Sequence, residues 1–477
     1  MKYLKVNLEI GKPHPEFLHR ANSVLIRMML FLLGLGLLGC SDFIEVDPPK
    51  NIMVSKTVFN DPSTVDSALA NIYYKMREEG MVSGNYGFTI LLGAYSDELE
   101  YHGFISDYSQ LYLHNHKATN GLVLDWWSQG YNLIYSANDI LKGVGNSKVM
   151  TSGEKDRFTG QALFVRAYVH SLLASIFGDI PYVATTDYLG NNVVSRMPET
   201  EVYEKIIADL KDAVIKMEGQ DLGSSERVFP DQWVARALLS RMYQYTEKWE
   251  LAASTATELI DAFVLEPDLD EVFLKGSSET IWQLKSGVNP RNTQEANQLV
   301  IRGIPGQTFA LTESLLAAFE PGDQRTNHWV GNISNSDNTI TLSFAHKYKA
   351  IFLETESLEY SILFRLAEQY LIRAEARAQM GELDTAREDL NTIRSRAGLP
   401  NSTANTSPEL LDAILQERRV ELFAEQGLRW FDLKRTGLAE AVMEPLKQNW
   451  RPTDLLLPIP ENELETNPNL LPQNDGY

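Results

Sequence analysis

The chain has 477 residues, enough for two or three ordinary domains or for one large architecture with ample core. At 44% hydrophobic and 22% charged residues its composition is globular, which excludes global disorder. Against 43 Lys and Arg stand 64 Asp and Glu, and the net charge of −21 excludes general nucleic-acid binding and argues against docking on anionic lipid.

The chain opens with Lys2, Lys5, Lys12, Arg20 and Arg27, then runs apolar from Met28 to Gly39 and meets its single cysteine, Cys40. A basic start, a short apolar run and a small residue at the junction are the parts of a secretory signal. The run spans about 18 Å as a helix, short of a ~30 Å bilayer core. Leu37-Leu38-Gly39-Cys40 resembles a lipobox, so residues 1–39 are expected to be a lipoprotein signal peptide and Cys40 the lipidated first residue. Leu38 is bulkier than the usual residue there. With the signal removed, 38 basic side chains face 62 acidic ones, a net charge of −24, and no disulfide is possible. Gly34-Leu35-Gly36-Leu37-Leu38-Gly39 matches the dinucleotide-binding string, but it lies inside the signal and opens no βαβ unit.

Residues 40–58 read as the lipidated cysteine and a polar tether, and 59–477 as a single domain. Ala68, Leu69, Ile72 and Tyr73 start a helical pattern. Trp127, Tyr131, Ile134, Asn138 and Leu141 mark a second helix, Ala162 to Leu173 a third, and Val202, Ile206, Leu210 and Ala213 a fourth. Ala374, Gly381 and Ala386 have the small-turn-small spacing of a tetratricopeptide (TPR) hairpin, and Ser240, Ala252 and Ala253 repeat it. TPR-like pairs are therefore placed at about 158–262 and 362–398. The fold class expected is mainly α: TPR-like helix pairs forming a right-handed scaffold, with irregular, loop-rich, short-strand insertions for ligand. Those irregular regions are 81–124 and 263–350, rich in Gly, Asn, Asp, Ser and aromatics, with β-prone runs at Thr280–Leu284 and Thr339–Leu342. Residues 451–477 hold five prolines and no helix signal, and read as an extended wrap over the surface.

Several strings, in order, resemble the SusD/RagB-like family of nutrient-binding outer-membrane lipoproteins. They include Cys40-Ser41-Asp42-Phe43, Gln161-Ala162-Leu163-Phe164-Val165-Arg166-Ala167 and Phe177-Gly178-Asp179-Ile180-Pro181-Tyr182. The most specific are Glu417-Arg418-Arg419-Val420-Glu421-Leu422 with Arg429-Trp430-Phe431-Asp432-Leu433-Lys434-Arg435, closed by Leu457-Pro458-Ile459-Pro460 and Gln473-Asn474-Asp475-Gly476-Tyr477. The resemblance implies attachment to the outer membrane facing outward and work with a SusC-like TonB-dependent transporter. It implies capture of an oligosaccharide or other nutrient with no chemistry on the ligand and no cofactor. A TPR scaffold that binds a protein partner at the outer membrane is the alternative, and peptide or glycopeptide cargo stays open.

Catalytic signals are weak: Asp97-Glu98 is one of many adjacent acidic pairs, and no H-E-x-x-H, G-x-S-x-G or cysteine nucleophile occurs. His114-Asn115-His116 has no marked third ligand and reads as a loop pair rather than a metal site. Glu417, Arg418, Glu421, Glu425 and Arg429 read as a structural ion network joining the last TPR helix to the C-terminal wrap, with Arg418 half-buried and paired. Sugar C–H groups pack on aromatic faces, so the rings in the irregular regions are the candidate ligand contacts. Tyr86, Tyr101, His102, Tyr108, Arg325 and Trp329 are chosen, whereas Trp127, Tyr131, Trp233, Trp249 and Trp430 lie on helical stripes and read as core.

Overall fold

The computed structural model describes residues 59–220, 226–287 and 292–477. The signal 1–39, Cys40 and the tether to residue 58 lie outside the described residues. Helix α1 (Pro62–Glu78) begins where Asp61 accepts the Ser63 amide at 2.9 Å, with Pro62 at the first helical position, where its missing N–H has no partner to lose. Helix α2 (Phe88–Tyr95) is buried along its whole length. After strand β1 (Leu99–Tyr101) and α3 (Ser106–Tyr112) come two 26-residue helices, α4 (Gly121–Asn146) and α5 (Ser152–Phe177). Asn120 caps α4 through the Leu122 and Val123 amides, and Thr151 with Glu154 forms a capping box on α5. From Gly160 to Phe177 every residue of α5 is buried, because α4 packs against it and α6 (Glu199–Met217) does too.

Two helix pairs stand at the positions of the small-turn-small spacings. Helices α7 (Gln232–Tyr245) and α8 (Trp249–Ala262) are each 14 residues long. Beyond strand β2 (Thr280–Leu284), α9 (Gln294–Leu299) and strands β3 (Phe309–Leu311), β4 (Val330–Ser334), β5 (Thr341–Ala345) and β6 (Ser361–Arg365), the second pair repeats those lengths. It consists of α10 (Leu366–Gln379) and α11 (Leu383–Arg396). Ser240, Ala252, Ala374 and Ala386 are all fully buried at the crossings, where small side chains let backbones approach. Gly381 takes φ +81° in the second turn, and Glu247 takes φ +55° at the matching place in the first. The pairs are joined by buried polar bonds: Arg241 clasps Glu368 with two bonds of 2.7 Å, and Gln244 donates to Glu375 at 2.7 Å.

The strands form three separate antiparallel ribbons. β1 pairs with β3 (Leu99 opposite Leu311), β2 with β6 (Thr280 opposite Arg365) and β4 with β5 (Val330 opposite Ala345). No sheet closes among the described residues, and the architecture is mainly helical as expected.

The acidic–basic cluster is larger than its sequence signal and points elsewhere. On α12 (Ser407–Glu421), Glu421 accepts from Arg325 and Arg365, at 2.9 and 2.6 Å, and is also paired with Arg396. Arg365 reaches Glu279 and Glu425, and Lys347 reaches Glu425. Arg418 is fully buried, not half-buried, and pairs with Asp432 of α13 (Leu428–Arg435) at 2.7 Å. The network thus ties α12 to β6, α11 and the 323–325 turn, with Glu279 bridging Arg365 and Arg396, and not to the C-terminal wrap, because Arg325, Arg365 and Arg396 converge on one carboxylate.

The C-terminal segment does wrap, but with short turns and a six-residue helix at Glu461–Thr466. Leu457 donates to Ile176 and Asn474 to Phe177, which pins the wrap to the end of α5. His114 and His116 serve this closure. The His114 ring lies 2.8 Å from the Tyr95 carbonyl and 3.5 Å from Asp454, and His116 meets the Tyr477 hydroxyl. Burial lowers both imidazoles, His116 to about 4, so they stay neutral near pH 7.

Candidate functional site

Four of the six predicted ligand residues are buried, Trp329 and Arg325 completely. Trp329 is 0% exposed: its indole N–H donates to the Leu269 carbonyl at 2.8 Å, and its ring packs edge-on to Phe273. Lys347 lies 4.8 Å from the ring centroid, so the protein's own cation already occupies the π face. Arg325 is fully buried among Asp323, Glu417 and Glu421. Both expectations are therefore corrected: a side chain saturated by internal partners in the core is not offered to a ligand. Cys40 is outside the described residues.

The other four lie close together, and of these only Tyr86 and His102 reach solvent. Gly84–Tyr86 is a single 3-10 turn, and Gly84 has φ +80° with a would-be Cβ 2.5 Å from the Arg77 carbonyl oxygen, so only glycine fits. The turn is clamped from beneath: the Ser83 hydroxyl donates to buried Glu295 at 2.6 Å, and the Trp126 indole donates to the Tyr86 carbonyl at 2.8 Å. The Tyr86 ring is left 43% exposed. Beneath it Tyr108 is buried, and its hydroxyl donates to the Asn85 carbonyl at 3.3 Å. Burial, with the Tyr86 and Tyr101 phenols close by, raises the Tyr108 phenol far above its ordinary value.

Tyr101 is buried too and packs against Tyr108 and Phe309 with ring centroids 5.8 and 5.2 Å apart. Its hydroxyl accepts the Ile105 amide at 2.9 Å, which turns the chain outward after β1. Tyr101 and Tyr108 are thus supports rather than platforms. His102 is part-exposed, 3.5 Å from Glu100, and its amide donates to the Thr308 carbonyl at 2.9 Å.

Sequence reasoning missed the most prominent ring here. Phe104 is 99% exposed, with Ile105 half-exposed beside it. The signal available was the run Tyr101-His102-Gly103-Phe104-Ile105, in which apolar residues precede α3 without joining its stripe. Neutral amides join these segments to α9 and the loop after it. Gln298 donates to the Asn85 side chain at 3.0 Å, and the Phe352 amide donates to the Asn297 side chain at 3.0 Å. Residues 297–308 enclose a shallow cleft of about 330 Å³, and Phe352 and Leu353 are exposed beyond it. Nearby, the Glu100 carboxylate lies 3.5 Å from His102, and Asp107 accepts the Gly121 amide. Among the described residues no group of three or more His, Cys, Asp or Glu side chains could hold a metal ion.

The fold is thus a helical-pair scaffold that fixes irregular, ring-bearing loops. The family model described as SusD family matches residues 324–477, and the one described as starch-binding associating with outer membrane matches 42–244. SusD-like protein P2 of Formosa agariphila is 26% identical over 94% of this chain and 99% of its own length. Among solved structures, a SusD superfamily protein from Bacteroides vulgatus superposes with TM-score 0.78 at 21% identity, covering 88% of this chain and all of that one. A SusD-like carbohydrate binding protein from Bacteroides fragilis gives TM-score 0.75 at 19% identity, covering 87% and 100%. The chain belongs to the SusD/RagB-like family.

Proposed function

We propose that this protein is a non-catalytic glycan-binding protein of the outer membrane that captures ligand on the Tyr86–Phe104 face. The observation that carries this is the exposure of Tyr86 and Phe104 on segments locked by buried hydrogen bonds. Rings held this way stack on sugar C–H faces without a large ordering cost, and neighbouring amides can meet hydroxyls. The carbohydrate-binding relative and the starch-binding family model support the ligand class. The family resemblance supports the rest of the reading: anchoring through lipidated Cys40, a surface-facing orientation, and hand-over to a SusC-like TonB-dependent transporter.

Affinity electrophoresis in gels containing soluble neutral polysaccharides tests the binding reading. At least one polysaccharide should retard the protein, and Phe104→Ala should weaken the retardation about tenfold. Free mobility in every gel would overturn it. Cys40→Ala should release the protein from the membrane fraction, and co-purification of a barrel protein from detergent extracts checks the partner.

A further inference from the structure

Away from that face, a cleft of about 350 Å³ opens between α4, the 181–194 loop and the C-terminal wrap. Trp127, Tyr131 and Tyr135 stand at i, i+4 and i+8 on α4, so they form one stripe along its wall. Trp127 and Tyr131 are in contact, with centroids 5.0 Å apart, and Trp127 also packs edge-on to Phe177. They form the floor. Tyr135 is 46% exposed at one rim and Tyr188 is 66% exposed on the loop, both lining the same opening. Asn192 adds an exposed amide to the lining.

The walls are built rather than loose. Tyr131 donates to the Pro181 carbonyl at 2.9 Å, and Asn138 donates to Val183 at 3.0 Å. From the wrap, Asn467 donates to Val194 and Asn469 to Val193, each at 2.8 Å. These bonds fix the loop against both the helix and the wrap, so a ligand would meet preformed walls.

The charge of the lining selects among ligands. No Lys or Arg lines the cleft, and its one ionisable acid is Glu463, whose carboxyl burial raises against a hydrogen bond from the Trp127 indole. In the lining itself a phosphate, sulfate or uronate would meet Glu463 and no cation, the nearby Arg196 being bonded to Asp179, Pro472 and Asn474. A neutral ring with alternating C–H faces and hydroxyls matches tyrosine faces and an amide.

We infer that this cleft is a second saccharide site, taking one or two neutral pyranose units between the α4 tyrosine stripe and Tyr188. It shares with the proposed function the saccharide class of ligand, but none of its residues. The test is hydrogen–deuterium exchange with maltohexaose, cellohexaose, laminarihexaose and, as an acidic control, hexagalacturonate, on the wild type and on Phe104→Ala. A neutral hexasaccharide should slow exchange at 186–194 and 461–470 in both proteins. Tyr188→Ala, at an exposed position that does not threaten folding, should remove that protection and weaken affinity at the cleft roughly tenfold. Tyr135→Ala should act in the same direction. Protection confined to 84–105 and 297–308 would overturn the second site and leave the loop face standing. Protection at 186–194 by hexagalacturonate alone would overturn the neutral-ligand assignment, and no protection anywhere would overturn both sites.

Discussion

Residues 84–105 and 323–348 are both aromatic-rich, and two of their rings, Phe104 and Trp329, end in opposite places. In the first segment Phe104 and Tyr86 point to solvent, while Tyr101 and Tyr108 brace them from below. In the second, Trp329 is sealed among Lys347, Arg365 and Arg396, whose charged ends lie 4.8, 5.9 and 5.8 Å from its ring centroid. What separates them is charge. The Glu417–Glu421–Glu425 series on and after α12 needs cations from distant segments, and those cations carry Trp329 inward with them. Segment 84–105 contributes no cation to that cluster; Phe88, Tyr95 and Tyr101 are buried by packing, and Tyr86 and Phe104 stay exposed.

The comparison breaks most visibly at Trp329. Trp329→Ala is expected to cost about 3–5 kcal/mol of stability by opening a cavity and uncovering three cations, measured by urea denaturation. A variant of near wild-type stability that had lost glycan retention would show the ring to be a ligand contact after all.

Glu421 sharpens the inward half. Despite burial, Arg396, Arg365 and Arg325 hold its carboxyl far below the ordinary value. Its folded pKa is depressed, so its stabilisation is present above pH ~4.5 and is lost as pH falls below that. Glu421→Gln should therefore destabilise the protein at pH 7 by about 3 kcal/mol. It should also flatten the decline in stability between pH 5 and 3, read by denaturation at several pH values. An unchanged acid profile would mean that the network does not set acid stability.

Gly84 tests whether the outward half depends on a preset backbone. Gly84→Ala forces a Cβ against the Arg77 carbonyl oxygen, so the turn must shift, on top of the ~1–2 kcal/mol cost of a left-handed backbone. It should weaken glycan retention although no ring is removed. Full retention would show that the turn's geometry is not part of the face.

The helical frame was legible because its signals are local and periodic. Ser240 with Ala252, and Ala374 with Ala386, mark crossings that the structure realises with equal 14-residue helices. Strand β2 was legible from Thr280-Ile281-Trp282-Gln283-Leu284 for the same reason. Glu421 could be flagged from its spacing, but Arg325 and Arg365 come from other elements and share no period with it. The same limit hid the site. Its segments stood out by composition, yet the outward turn that carries Phe104 follows the Tyr101 hydroxyl accepting the Ile105 amide. No pattern along the chain encodes that bond. Trp329 was misplaced because a Trp among Asn, His and Arg looks like a surface ring until distant acids are known.

Phe104→Ala carries the smallest expected change in stability and the cleanest functional one. The ring is almost fully exposed, so its removal should alter stability by less than about 0.5 kcal/mol. An exposed phenyl group gains nothing from the fold, and its solvation is a standing cost unless a partner covers it. If that partner is a glycan, retention should fall about tenfold while the melting temperature stays fixed, and Tyr86→Ala should do the same to a lesser degree because its ring is already half covered. The pairing of results matters more than either alone. Loss of retention without loss of stability at Phe104, beside loss of stability at Trp329, would establish that similar loop textures were put to opposite uses. Equal stability losses at both would show that Phe104 packs in solution, and the distinction between the two segments would fall.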